Sequence, residues 1–242
     1  LMLLSSDPFL ETFRMSGPSA GVISTLMGNG PERFSGDGGL ARAAGLARLS
    51  SVAVDTAGNV WVGGDNPTRV RRVDVDSNRI FTVAGTGLWG SSGDGGSALR
   101  AEFTATWGLA EYQGRLFVVD TYANRIRVIE PDGRVLAYAG TGRNGFNGDN
   151  RSALSAMLNT PRGIVVDPIT GDLYFADSEN NRVRKIAVVS GTPVISTIAG
   201  TGDPTSSGDG GAANLAALNK PFGLALYRSG GVLSLYVTEH DG

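Results

Sequence analysis

The segment "PRGIVVDPITGDLYFADSENNRVRKIAVVSGTPVISTIAG", residues 161–200, contains four short runs of strand-forming residues separated by turns. The runs are PRGIVVD (161–167), DLYFAD (172–177), RVRKIAV (182–188) and VISTIAG (194–200). They are rich in β-branched and aromatic residues, and RVRKIAV alternates polar with apolar side chains as a half-buried strand does. The segment therefore predicts four antiparallel strands joined by tight turns.

The same order of runs recurs along the chain, in step with a glycine-rich motif. SGDGG occurs at 35–39, 92–96 and 207–211, and the variant NGDNR occurs at 147–151. The four aspartates, which recur every 55 to 60 residues, are Asp37, Asp94, Asp149 and Asp209. A period of this size with four short strands per repeat is typical of a β-propeller. We predict an all-β propeller of four-stranded antiparallel blades, with short helices such as SALSAMLN (152–159) in the inter-blade loops.

The repeat boundaries predict a single domain over 1–242 that is incomplete at both ends. Three blades are expected at 51–85, 107–140 and 162–200. Residues 1–28 are interpreted as strands of a preceding blade and 222–242 as the start of a further blade. The sequence thus predicts an arc of a larger ring, with six blades as the expected number.

Two segments carry a family resemblance. GIVVD…GDLYFADSENNRVRKI (163–186) and GLAEY…GRLFVVDTYANRIRVI (108–129) resemble the NHL repeat, and the SGDGG loops resemble one of its subtypes. The first copy, GGDNPTRVRRV (63–73), departs from the pattern at its turn. The resemblance implies a β-propeller, often of six blades, and that subtype resembles one seen in bacterial secreted and eukaryotic large proteins. Some NHL propellers bind RNA through a basic face.

Composition excludes several function classes. The chain of 242 residues has a formal net charge of −2, no cysteine and one histidine, His240. Disulfides and zinc–thiolate sites are therefore excluded, and no histidine-based zinc site can be assembled. No apolar stretch is long enough to cross a bilayer, so no membrane insertion is expected. The near-neutral charge also makes nucleic acid an unlikely partner.

The Gly-Asp loops allow a structural and a chemical interpretation. The structural one is a turn in which the aspartate caps the following helix, since Asp and Gly are the usual residues for those roles. The chemical one is a calcium or anion site, although each loop offers only one carboxylate. We predict no cofactor, with calcium as the alternative.

No catalytic or metal residue is predicted. The acids Asp55, Glu111 and Asp167, at the ends of the first strands, are candidates for a metal on the propeller axis, but each starts a hairpin turn where a carboxylate caps its own backbone. His240 is expected in the turn after a second strand. The basic residues of the third strands are interpreted as solvated strand faces and cross-blade ion pairs; they are Arg69, Arg71, Arg72, Arg125, Arg127, Arg182, Arg184 and Lys185.

The predicted function is a non-catalytic rigid scaffold within a larger structural or surface protein. Its partners are expected to be proteins or glycans, including other copies of itself or the rest of a larger chain. Trp89 lies in a loop and is the expected anchor for a partner. The predicted partner-binding face comprises Trp89, Arg100, Arg151, Asp37, Asp94, Asp149 and Asp209. The alternatives are a metal-dependent hydrolase or lyase with a site on the axis, and an RNA-binding NHL domain.

The altered loop also creates a candidate modification site. Asn150-Arg151-Ser152 is an N-x-[ST] acceptor without proline. A glycan on Asn150 would place the protein outside the cell or on its surface, which is the localisation that we favour.

Overall fold

The structure, a computed structural model, describes residues 2–4, 10–14, 22–30, 33–66 and 68–240, and almost all of its regular structure is β. The strands form five antiparallel sheets, A to E. Sheet A contains β1 (Met2–Leu4), β2 (Leu10–Arg14) and β3 (Val22–Met27). Sheet B contains β4 (Arg48–Val54), β5 (Val60–Asn66), β6 (Val70–Asp74) and β7 (Arg79–Ala84). Sheet C contains β8 (Thr106–Tyr112), β9 (Arg115–Asp120), β10 (Arg125–Ile129) and β11 (Val135–Ala139).

Sheet D contains a short edge strand, β12 (Arg151–Ser152), and four longer strands, β13 (Pro161–Val166), β14 (Leu173–Asp177), β15 (Arg182–Val189) and β16 (Thr192–Ala199). Sheet E contains β17 (Pro221–Ser229) and β18 (Val232–Glu239). Within sheets B to E each longer strand pairs with the next one along the chain. The expected four-stranded antiparallel sheets are confirmed.

The sheets are arranged side by side through their first strands. β4 packs beside β8, β8 beside β13, and β13 beside β17. Turn asparagines help to fix this arrangement: Asn124 and Asn181 adopt left-handed φ angles of 53° and 52° just before the third strands. Their side-chain oxygens accept hydrogen bonds from the Thr160 and Lys220 amides, 2.8 and 3.0 Å away, at the entry to the next sheet. Each turn therefore positions the first strand of its neighbour.

The core lies between adjacent sheets. One layer joins β3 to sheet B, a second joins sheets B and C, and a third joins sheets C and D. In every layer the connection before a sheet contributes a fully buried apolar side chain, nine residues after the motif aspartate; these are Leu46, Phe103 and Leu158. The long connections are thus part of the core.

The helices expected in these connections are single 3₁₀ turns, at Ala41–Ala43, Ala98–Arg100, Ala153–Ser155 and Ala213–Leu215. None of the four has a side-chain cap, so the predicted helix-capping role of the aspartates is wrong. Each connection must travel from the outer edge of a sheet to its first strand. Extended chain advances about 3.3 Å per residue against 1.5 Å for an α-helix, which favours a brief turn followed by extended chain.

Within the described ranges, no helix combines the length and the apolar character needed to cross a bilayer.

Candidate interaction surface

The aspartate of the glycine-rich motif forms an ion pair with an arginine on the third strand of the same sheet. Asp37 lies 2.8 Å from Arg71. Asp94 and Arg127 are separated by 2.8 Å, and Asp149 and Arg184 by 2.9 Å. The same ion pair therefore recurs in sheets B, C and D.

These arginines are buried. The Arg127 and Arg184 side chains are 0% exposed and that of Arg71 is 5% exposed. The interpretation of these three residues as solvated strand faces is therefore wrong. Arg127 also donates to the Ser92 and Glu102 carbonyls at 2.9 and 2.6 Å, so it joins both halves of the connection to the sheet.

In sheets C and D the arginine contacts a second carboxylate at the end of the second strand. Arg127 lies 3.5 Å from Asp120, and Arg184 lies 3.0 Å from Asp177. Burial raises the pKa of Asp177 to about 6, although hydrogen bonds from Asn180 and Asn159 and the positive charge of Arg184 oppose the rise. Burial likewise raises the pKa of Asp120, against hydrogen bonds from Thr104 and the Arg127 charge. Without the arginine, the fully buried carboxylate of Asp120 or Asp177 would be left without its cation.

The residues after the motif aspartate pair with the outermost strand of the sheet. The amides of Gly38, Gly95 and Asn150 donate to the carbonyls of Ile80, Val135 and Ile195 at 2.7–2.8 Å. In sheet D the pairing is extensive enough to form β12. Each of these three connections therefore adds a short edge to the sheet that follows it.

The backbone conformation explains why one copy of the motif could lose the first glycine after its aspartate. The residue after the aspartate has a left-handed φ in all four copies: 77° at Gly38, 87° at Gly95, 76° at Gly210 and 57° at Asn150. Asparagine is the non-glycine residue that visits this region most readily. The side chain of Asn150 is exposed, although its amide is held in the sheet edge.

The fourth connection differs from the other three. Asp209 is exposed, and no ion pair of Asp209 occurs among the described residues. The described part of sheet E ends with its second strand, so it contains no third-strand arginine and no outermost strand.

Trp89 belongs to a row of stacked side chains that we call the aromatic row, made of Trp89, Tyr122, Trp107, Arg162 and Phe222. Trp89 and Tyr122 stack with ring centroids 5.6 Å apart, and Tyr122 meets Trp107 edge to face at 5.5 Å. The Arg162 guanidinium lies over the Trp107 and Phe222 rings, at 4.6 and 4.7 Å from their centroids.

The positions of the row follow from the strand arrangement. Trp107, Arg162 and Phe222 are each the second residue of a first strand, in β8, β13 and β17. Because the first strands lie side by side, these side chains come together at the same end of their sheets. Trp89 is 62% exposed, Tyr122 48% and Phe222 38%, so the row presents apolar area to solvent.

The predicted partner-face residues fall into two groups. Trp89 lies in the aromatic row beside the first strands. Arg100 is exposed in the 3₁₀ turn before sheet C, and Arg151 is half-buried in the edge strand β12. Among the described residues, no hydrogen bond or cation–π contact joins either arginine to Trp89. Sequence reasoning missed Tyr122, Trp107, Arg162 and Phe222 as partners of Trp89; the equivalent position of the last three in successive repeats was the available signal.

The candidate axial acids are turn residues. Asp55 accepts hydrogen bonds from the Ala57 and Asn59 amides, and Glu111 accepts one from the Gly114 amide. Asp167 accepts hydrogen bonds from Ile169 and Thr170 and forms a 2.7 Å pair with Arg228 of the next sheet. The turn-capping interpretation of these acids is confirmed. Across residues 33–66 and 68–240, no three acidic, histidine or cysteine side chains are grouped closely enough to hold a metal ion.

The lone histidine also takes its expected place. His240 directly follows β18, and its ring lies 6.1 Å from that of Phe222, at the end of the aromatic row.

Solved structures of the same fold identify the architecture. A Bacteroides thetaiotaomicron structural genomics protein of unknown function superimposes with a TM-score of 0.69 at 20% identity, over 96% of this chain and 51% of that one. The structure of a nidogen/laminin complex contains a chain that superimposes with a TM-score of 0.60 at 16% identity, over 98% of this chain and 84% of that one. This protein is a β-propeller repeat protein.

Curated relatives of the propeller agree with this assignment. Mouse teneurin-3 is 32% identical over 127 residues, which cover 48% of the propeller chain and 4% of teneurin-3. Drosophila teneurin-m is 28% identical over 185 residues, covering 71% and 6% of the two chains. Chicken NHL repeat-containing protein 2 is 34% identical over 98 residues, covering 40% and 13%. The propeller thus spans only a small part of each relative, and no family profile matches it.

Proposed function

We propose that this propeller is a non-catalytic interaction module of NHL type, part of a six-bladed ring, that binds a protein partner through the aromatic row. The observation that carries the proposal is the stack of Trp89, Tyr122, Trp107, Arg162 and Phe222. Trp89, Tyr122 and Phe222 are exposed, and Trp107, Arg162 and Phe222 stand on three neighbouring first strands.

The composition of the row supports a protein partner. Tryptophan, tyrosine and arginine are the residues that dominate binding energy at protein interfaces. Trp107, Arg162 and Phe222 stand on paired strands, so little conformational entropy is lost when a partner orders them. Exposed apolar rings in one continuous row are typical of interaction sites rather than of ordinary surface.

Proteins of similar fold differ in function. One structure of similar fold is that of a nidogen/laminin complex, and the curated relatives include teneurins. Another structure of similar fold is a luciferin-regenerating enzyme, with a TM-score of 0.55 and 14% identity. Fold alone therefore does not separate binding from catalysis, and the site must do so. The capping role of Asp55, Glu111 and Asp167 favours binding, because these carboxylates are engaged with their own turns.

The other residues of the predicted partner face contribute less to binding than the aromatic row in this proposal. Asp37, Asp94 and Asp149 are engaged by buried arginines and act as supports that hold the connections in place. Arg100 and Arg151 lie at the outer edges of their sheets, where contacts at an interface periphery contribute little.

The test is a selection of peptides from a displayed library against the intact chain, followed by affinity measurement on variants. We expect Trp89→Ala to weaken selected peptides at least about tenfold, as for a central interface residue. Phe81→Ala is the matched control, since Phe81 is also an exposed ring, 39% accessible, but lies in β7 outside the row. Arg100→Ala is expected to have less than about threefold effect. Peptides that bind the Trp89→Ala and wild-type chains equally would overturn the assignment of the row.

Two parallel measurements test the other parts of the proposal. If the chain binds arrayed glycans and Trp89→Ala abolishes that binding, the partner is a glycan rather than a protein. Turnover of lactones or phosphate esters by the purified chain would contradict the non-catalytic assignment.

We further propose that Asn150 carries an N-glycan when the chain passes through a eukaryotic secretory pathway. Its side chain is exposed directly before the edge strand β12, and it belongs to an N-x-[ST] acceptor. A mass measurement on the peptide that spans Asn150, with Ser152→Ala as control, tests this. An unmodified wild-type peptide from secreted eukaryotic material would contradict it.

A further inference from the structure

A cleft of about 780 Å³ lies between sheets B and C, beside the C-terminal ends of their first strands. Its walls combine charged with apolar side chains, namely Asp55, Trp61 and Arg72 of sheet B and Glu111, Leu116 and Ile129 of sheet C. This volume and this mixture are typical of ligand pockets, which occupy about 300–1,000 Å³. Trp107 of the aromatic row is the second residue of β8 and Glu111 is the sixth, so the cleft and the row lie towards opposite ends of that strand.

The cleft is open because two aromatic residues of the neighbouring interface have smaller counterparts in it. Between sheets C and D, Tyr138 packs edge to face on Phe117 at 4.9 Å, and Tyr112 packs against the same cluster. Val83 is the counterpart of Tyr138, since both lie at the irregular step between a third and a fourth strand. Asp55 is the counterpart of Tyr112 at the end of the first strand. The smaller side chains leave the space between sheets B and C unfilled.

Arg72 provides a positive charge in this cleft. Its side chain is half-buried, and its guanidinium lies 5.4 Å from the centroid of the Trp61 ring. Among the described residues Arg72 has no hydrogen bond or ion pair, and two buried donors at this wall, Arg72 Nε and Trp61 Nε1, have no acceptor. Buried donors without acceptors cost free energy. A carboxylate in the cleft would complement them, because it accepts two hydrogen bonds from a guanidinium.

The counterpart of Arg72 in sheet C is apolar. Arg72 faces Trp61 across the second and third strands as Val128 faces Phe117, and Val128 is fully buried. The arginine is therefore not needed to build a repeat of this kind.

Glu111 provides a negative charge on the facing wall. Its Oε1 accepts a hydrogen bond from the Gly114 amide at 2.6 Å, and no hydrogen bond within the described ranges reaches its Oε2. Asp55 adds a second negative charge on the opposite wall, although Asn59 and Ala57 engage both of its oxygens. The remaining charged side chains of the cleft are in ion pairs: Glu130 with Arg115, and Asp132 with Arg134.

We propose that this cleft binds a short apolar peptide with free ends, its carboxylate on Arg72 and its amino group on Glu111. Arg72 stands on a third strand and Glu111 on a first strand. First and third strands lie about 10 Å apart across a sheet, and three extended residues also span about 10 Å. Between the two charges the walls are apolar at Leu116 and Ile129, which suits apolar peptide side chains.

The test titrates trileucine with free ends into the intact chain by calorimetry. Arg72→Met should weaken binding at least about tenfold, because it removes a charge-assisted hydrogen bond and keeps a long side chain. Arg143→Met is the matched control, since Arg143 is an exposed arginine of the connection into sheet D, outside the cleft. Its effect should be less than about threefold. Trp89→Ala should not alter the affinity, so this inference and the proposed function can fail independently.

Peptides with blocked ends assign each charge to its residue. Trileucine amide should bind the wild-type chain at least about tenfold more weakly than trileucine, and the two should bind Arg72→Met equally. N-acetyl-trileucine should show the same relation with Glu111→Gln, a variant that keeps an acceptor for the Gly114 amide. An acetylated peptide that binds the wild-type chain as tightly as the free one would identify the ligand as the C-terminus of a longer chain, and would overturn the assignment of Glu111.

A filled cleft gives a further check. Val83→Tyr introduces the residue that sheet C has at the equivalent position, and should abolish trileucine binding. A thermal midpoint close to that of the wild type would show that this variant is folded. Undiminished binding to a folded Val83→Tyr chain, equal affinities of Arg72→Met and Arg143→Met, or a wild-type chain that does not bind trileucine would each overturn the proposal.

Discussion

The connection that leads into sheet D and the one that leads into sheet E have closely similar sequences but different burial. In the first, Ala153, Ala156 and Leu158 are fully buried. In the second, the equivalent Ala213 is exposed and Leu218 is half-buried. Both connections make the same internal contacts, since the Gly140 and Gly200 amides donate to the carbonyls of Ala153 and Ala213 at 2.9 and 3.0 Å.

The difference shows which part of the motif is local and which depends on the sheet. The 3₁₀ turn and its backbone hydrogen bonds form in both connections. Burial, the ion pair and the edge pairing occur only where the described sheet has a third and a fourth strand. The connection is thus a shape that the chain adopts locally, and the strands that follow make it part of a core.

The largest expected effect comes from removing the buried arginine of sheet D, which has no counterpart in the described part of sheet E. Arg184→Met should destabilise the chain by about 3–5 kcal/mol, because it leaves Asp177 buried without its partner. Asp209→Asn, in the fourth connection, should change the free energy of unfolding by less than about 0.5 kcal/mol. Urea unfolding followed by tryptophan fluorescence measures both. Similar losses in the two variants would mean that Asp209 has an ion-pair partner in solution.

The next effect concerns the apolar residue nine positions after the aspartate. Leu158→Ala should cost about 3 kcal/mol, since it opens a cavity in a fully buried site. Leu218→Ala should cost less than half as much, because its side chain is only half-buried. The same unfolding experiment gives both values. Equal costs would indicate that sheet E is covered in solution as sheet D is.

The pH dependence tests the charge cluster of sheet D. The folded-state pKa of Asp177 is raised to about 6, above its ordinary value of 3.8, so between these values the native state binds more protons than the unfolded state. The stability that Asp177 contributes should therefore be fully present below about pH 3.8 and be lost as the pH rises through 6, by on the order of 3 kcal/mol. Asp177→Asn should flatten that part of the profile. A slope that survives this substitution unchanged would assign it to another group.

The smallest expected effect concerns the residue after the motif aspartate. Asn150→Ala should cost about 1 kcal/mol, because alanine is strained at a left-handed φ, and Asn150→Gly should be close to neutral. Gly210→Ala in the fourth connection should cost less, since no outermost strand pairs with that segment in the described part of the chain. Thermal midpoints of the three variants rank the costs. An Asn150→Gly variant that is as unstable as Asn150→Ala would point to a role for the asparagine side chain itself.

The strands were predictable from sequence because the residue pattern that defines each strand lies within a few neighbouring positions of its repeat. In 161–200 the alternation of side chains, the turn residues and the short spacing all agree with one another, and the four strands lie where they were expected. Asn181, in the turn between the second and third of these strands, has a φ of 52°, a left-handed conformation that asparagine adopts readily.

The role of the aspartates was not predicted, because their partners are distant in sequence. Asp37, Asp94 and Asp149 precede their arginines by 34, 33 and 35 residues, too far for any local pattern. Glycine and aspartate together are so typical of turns and caps that the local interpretation was favoured. The near-constant separation of aspartate and arginine in three repeats was the signal that could have identified the pair.

The order of each aspartate and its arginine along the chain has a consequence for biosynthesis. Each connection emerges from the ribosome before the sheet to which it is bonded. The arginine follows its aspartate after 33 to 35 residues. At roughly 5–20 residues per second, the partner becomes available within a few seconds of the aspartate. Each repeat can therefore close before the next has been made, without waiting for a distant part of the chain. A nascent chain arrested just before Arg184 should accordingly be cut by protease between the second and third motifs more slowly than within the unfinished third repeat.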